Sequence, residues 1–68
     1  MNEIVIFNSN NPKVTEVKGL SGYICGEAFD ESQQKYIYAV TEFQTEIVYS
    51  CYSSELIPTH EYYFEEDI

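Results

Sequence analysis

Arginine is missing from this chain, and lysine occurs three times, at Lys13, Lys18 and Lys35. Against them stand twelve Asp and Glu residues, for a formal net charge of −9. A surface so poor in cations repels nucleic-acid phosphates and anionic membranes, which argues against either as a partner. It should attract basic proteins and speed encounter with them, though negative charge also serves simply to keep a small domain in solution. Tryptophan is absent, and the aromatic content comes from seven Tyr and four Phe. Cysteine is scarce, with Cys25 and Cys51 too few for a disulfide scaffold and in no CxxC pair. They read as small core hydrophobes with reduced thiols. No apolar run approaches the roughly 20 residues of a membrane helix. The opening MNEIVIFNSNN has no basic start or long apolar stretch, so the expected location is cytoplasmic.

Sixty-eight residues hold one domain, expected over 1–68 with a frayed acidic C-terminal tail. At this size only about 60% of the unfolded chain's surface is buried, which leaves no room for a deep catalytic cleft. EIVIF (3–7) is β-branched and aromatic and reads as a strand. NSNNP (8–12) is a turn, and KVTEV (13–17) reads as a second extended piece. All three glycines then fall within KGLSGYICGE, residues 18–27. Gly19 and Gly22 suit a tight reversal with positive φ, and Gly26 inside YICGEAF suits a bulge or bend. The spacing is not GxGxxG and no helix follows, so the glycines are bending devices and not a phosphate cradle.

DESQQ (30–34) is a hairpin loop, and KYIYAVTEF (35–43) is the richest β segment, apolar on both faces and so central. IVYSCY (47–52) is another strand, with Ile47, Tyr49 and Cys51 as its core face. In SSELIP (53–58), Ser53 or Ser54 can cap a short 3₁₀ turn near residues 53–56, which Pro58 ends. EYYF offers a last strand. The expected fold is all-β, a small SH3-like barrel of about five short antiparallel strands.

Gly22-Tyr23-Ile24, Tyr38-Ala39-Val40 and Glu55-Leu56-Ile57-Pro58 resemble the strand and turn signatures of SH3-like barrels. Within that group, residues 15–59 are similar to the immunity protein 31 family of bacterial polymorphic toxin systems. The resemblance implies a small protein that neutralises a partner toxin, with no catalytic residues.

Catalytic and metal chemistry find little footing. His60 is the one imidazole, and a Cys–His nucleophile would need it beside Cys25 or Cys51 with a third, orienting group. Glu65-Glu66-Asp67 and Asp30-Glu31 lack the alternating oxygen ligands of a calcium loop. The chain is therefore expected to be no enzyme and to need no cofactor or metal. Acids and tyrosines together carry more: Glu27, Asp30, Glu31, Glu42 and Glu46 fall at or near hairpin ends. If they share one rim with Tyr36 and Tyr52, they form an anionic patch with aromatic anchors. The expected function is non-enzymatic binding of a basic protein, a toxin domain if the resemblance carries function, by occlusion and charge complementarity. Two alternatives are an SH3-like adaptor for peptides and an acidic DNA mimic that blocks a DNA-binding enzyme. A free final strand would leave dimerisation open.

Overall fold

The structure, a computed structural model, describes residues 2–64. Strand β1 (Asn2–Phe7) is followed by a 3₁₀ turn at Thr15–Val17. Strands β2 (Ser21–Asp30), β3 (Lys35–Glu42) and β4 (Val48–Tyr52) form a meander, and a second 3₁₀ turn, Ser53–Glu55, leads into β5 (Leu56–Tyr63). Every pairing is antiparallel, and the sheet order is β4-β3-β2-β1-β5. The fold is all-β with five strands. The first strand thus lies inside the sheet, clasped by the last, while β4 and β5 are its two edges. The expected acidic tail, 65–68, falls outside the described residues.

One cluster forms the core: Val5, Phe7, Val14, Val17, Val40, Cys51 and Leu56. These residues come from β1, the first 3₁₀ turn, β3, β4 and β5, so the sheet coils until both its edges contribute to one interior. Phe7 is fully buried and meets Tyr49 edge-on at 5.5 Å between ring centroids. Its backbone N–H donates to Leu20 O at 2.9 Å, and its carbonyl accepts from Gly19 N–H at 2.8 Å. Burial pushes the Cys51 thiol up to about 11, with the charge of Glu55 adding to the effect, so it stays protonated at neutral pH. Cys25, by contrast, is exposed.

Several local expectations are corrected. Residues 15–17 form a 3₁₀ turn and no strand, which puts Val14 and Val17, three residues apart, into the core together. Gly19 does adopt φ 88, as a reversal requires. Gly22 instead lies within β2, opposite Glu42, where the Thr41 carbonyl passes 2.4 Å from where a Cβ would stand. A bulge does fall between Ile24 and Gly26, but a Cβ at Gly26 would meet only Ala39 Cβ, at 3.8 Å. Gly26 marks the bend without being required for it.

Ile47 precedes β4 and is 52% exposed, whereas Cys51 is buried and Tyr49 half-buried. Neither Ser53 nor Ser54 caps the second 3₁₀ turn; Glu55 reaches back to accept the Tyr52 N–H at 2.9 Å. Pro58 does not end the 3₁₀ turn, which stops at Glu55, but sits within β5, which tolerates it as an edge strand. Between Ile4 and Val5 the β1–β5 register jumps from Glu61 to Pro58. There the Thr59 hydroxyl donates to the Ile4 carbonyl at 2.6 Å, replacing a rung of the ladder, and His60 turns through φ 63.

Candidate protein-binding surface

The β2–β3 hairpin is longer than the core beneath it. From Cys25 to Phe29 every residue of β2 is exposed, as are Lys35 and Tyr36 opposite. The radius of gyration, 11.8 Å, exceeds the roughly 10.9 Å expected for a compact chain of this length. Register assigns the two faces of this projection. Tyr36 and Tyr38 share a face with Val40 and Glu42, the side that leads into the core. Phe29 is opposite Tyr36 and meets it edge-on at 5.1 Å, and Tyr36 stacks loosely with Tyr38 at 6.5 Å. Glu27, exposed, is opposite Tyr38. At the foot of this row a groove of about 180 Å³ is lined by Ile24, Tyr38, Leu56 and Pro58, with Glu3 among its walls.

Tyr52 pairs with Ile37 and so belongs to the other face. Its hydroxyl donates to Asp30 Oδ2 at 3.1 Å, and Lys35 Nζ lies 5.3 Å from its ring centroid. The bond to Asp30, with partial burial, pushes the Tyr52 phenol up. Asp30 also accepts the hydroxyl of Ser32 at 2.6 Å and its N–H at 3.0 Å, fixing the four-residue turn 31–34. Asp30 and Tyr52 are therefore committed to each other and to the turn. Glu31 is exposed in that turn.

The seven candidate residues do not share one rim. Glu27, Asp30, Glu31, Tyr36 and Tyr52 gather at the projecting end, divided between its two faces. Glu42 and Glu46 sit at the opposite end of β3, on the order of 23 Å away at strand spacing. Glu46 is exposed there, with φ 62. Glu42 is 1% exposed and cannot meet a partner. Its carboxylate accepts the Gln44 N–H at 2.6 Å, the Thr45 N–H at 3.0 Å and the Thr45 hydroxyl at 2.9 Å. Phe29 is an exposed ring beside Tyr36 that the sequence pattern did not single out; placing Asp30 opposite Lys35 across a four-residue loop puts Phe29 opposite Tyr36.

The Gln44 N–H, foremost, holds the Glu42 carboxyl below its ordinary range, outweighing the burial that pushes it up. The Ser32 hydroxyl does the same for Asp30. Both groups favour the folded state when ionised. Their contribution is complete above the unfolded-state carboxylate pKa of about 4 and is lost as pH falls through the lowered folded values. The urea midpoint should therefore stay flat from pH 7 to about 5 and fall below about 4. Glu42→Gln should flatten that acid limb. An acid limb as steep as that of the parent would remove Glu42 as its source.

Among the described residues, no three His, Cys, Asp or Glu side chains are placed to hold a metal ion, and no helix is long and apolar enough to cross a membrane. No family model matches the chain, and neither a curated protein nor a solved structure matches it significantly.

Proposed function

We propose that the chain is a non-enzymatic protein-binding module with an SH3-like barrel topology, and that it grips a basic partner with the core-side face of its β2–β3 hairpin. The observation that carries this reading is the row Phe29, Tyr36 and Tyr38, its first two rings exposed and the third half-buried against the core, beside exposed Glu27 on a chain of net charge −9. Aromatic anchors supply affinity once desolvated, while neighbouring carboxylates set the approach rate and exclude acidic competitors. An immunity protein that occludes a cationic toxin domain in the bacterial cytoplasm fits this chemistry and agrees with the family resemblance. The groove between Ile24, Tyr38, Leu56 and Pro58 favours a second reading, an adaptor that takes an apolar side chain of a short peptide.

Affinity capture from the source cell, with mass spectrometry, should return a basic protein bound at a ratio that survives moderate salt. With that partner, Glu27→Lys combined with Glu31→Lys should slow association about tenfold at low salt and leave dissociation nearly unchanged. Phe29→Ser should mainly speed dissociation. On-rates that do not respond to the two charge reversals would end the steering argument. Capture of a DNA-processing enzyme that DNA displaces would favour the DNA-mimic alternative.

A further inference from the structure

We propose that the free edge of β4 is a second docking line, at which an extended basic segment of the partner protein adds to the sheet as a sixth strand. The idea rests on the preceding reading for the charge of the partner, but it uses a different surface. The two edges of the sheet are built differently. β5 carries Pro58, the displaced pair Thr59–His60 and the charge of Glu61, all of which discourage another strand from pairing with it. β4 has no Pro, no Gly and no charged side chain between Val48 and Tyr52, and its register with β3 runs without a bulge.

Hydrogen-bond parity fixes which backbone groups the edge offers. The Glu42 N–H donates to the Ile47 carbonyl at 3.0 Å, which makes Glu42 and Ile47 a bonded pair. Antiparallel alternation then turns the backbone groups of Tyr49 and Cys51 towards β3 and those of Val48, Ser50 and Tyr52 outwards. The Tyr52 N–H, taken by Glu55, agrees with this assignment. Val48 and Ser50 are left to present donors and acceptors along the edge. Val48 is 56% exposed, so an added strand would also cover apolar surface.

The surroundings select the occupant. Glu46 stands just before the strand and Glu55 just after it, while Glu16 meets the Tyr49 hydroxyl at 3.2 Å. Glu55 is already bonded to the Tyr52 N–H and the Ser9 hydroxyl, so exposed Glu46, together with the overall negative charge, gives the neighbourhood of an uncharged edge its anionic character. A second copy of a −9 chain is repelled from such a line, and an extended segment rich in Lys or Arg is drawn to it.

The test uses the whole chain and a synthetic seven-residue peptide of alternating lysine and valine, titrated by NMR. The largest amide shifts and the new protection from hydrogen exchange should fall on Val48 and Ser50. Methylating the peptide's backbone nitrogens at alternate positions preserves its charge but removes one row of donors. One of the two methylation registers should weaken binding about tenfold, the scale of one or two lost hydrogen bonds. Ser50→Pro should do the same, because it deletes an outward donor and no rung to β3; if that variant does not fold, the methylated peptides decide. Shifts confined to Glu27, Phe29 and Tyr36, insensitive to either methylation register, would overturn the edge proposal and leave the hairpin reading standing. Absence of binding at Val48 and Ser50 would overturn the edge proposal, whereas the hairpin reading falls only with the captured partner and its charge-reversal variants. A dimer of the free chain that Ser50→Pro dissolves would assign the edge to a second copy and overturn the proposal.

Discussion

Gly22→Ala should cost about 3 kcal/mol or more, the upper end of what overpacking a formed interior usually costs. The new methyl would stand 2.4 Å from the Thr41 carbonyl oxygen, 3.0 Å from Val40 Cγ1 and 3.1 Å from Phe7 Cε2. The first of these is backbone held in the β2–β3 ladder, so it cannot yield the way a side-chain tip would. The other two belong to fully buried residues, and a close-packed interior resists an added methyl. Gly26→Ala is the matched control, four positions along the same strand. Its nearest neighbour would be Ala39 Cβ at 3.8 Å, an ordinary contact, and the change should stay within about 0.5 kcal/mol of the parent. Urea unfolding of both variants reads the difference. Equal midpoints would mean that β2 and β3 do not approach as closely as described.

Phe7→Ala is expected to remove about 3–5 kcal/mol, the usual range for emptying a buried phenylalanine site. A chain of this length holds only about 3–10 kcal/mol in total, so the variant should be largely unfolded or melt at least ~12 °C lower. The magnitude follows from position. Phe7 ends β1, sits against Tyr49 of β4, and carries the two backbone bonds that anchor the loop before β2. Phe7→Leu, which keeps most of the volume, should cost less than about 1.5 kcal/mol. Calorimetry that finds the alanine variant within 1 kcal/mol of the parent would remove Phe7 from the centre of the core.

Strands were legible where a β-branched or aromatic run was bounded by polar turns, as in EIVIF and KYIYAVTEF. There the local signal and the tertiary requirement coincide. The 13–17 segment was misread because two valines among polar residues suggest a strand. Their spacing of three also fits a 3₁₀ turn, and the loop's need to close over Phe7 decided between the two. The role of Gly22 could not be read locally, since what forbids a side chain there comes from Thr41 and Phe7, distant in sequence. Glu42 was legible in principle, because it captures N–H groups two and three residues ahead, a familiar turn habit of acidic side chains. The candidate surface was half visible. The hairpin tip followed from DESQQ, but the length of β3 carried Glu46 to the far end, and face parity separated Tyr36 from Tyr52.

Tyr23, Phe43 and Tyr63 form a closed triangle with centroid separations of 5.4, 4.6 and 5.3 Å. None of the three belongs to the buried cluster around Phe7, and one of them is the last residue of β5. In a chain without tryptophan, rings this close contribute to the near-ultraviolet dichroism, and Tyr63→Leu identifies their share of it. The molecule therefore carries its own optical gauge for the seating of its final strand. Comparing that signal with the far-ultraviolet melt distinguishes peeling of β5 from collapse of the whole sheet, without any added label.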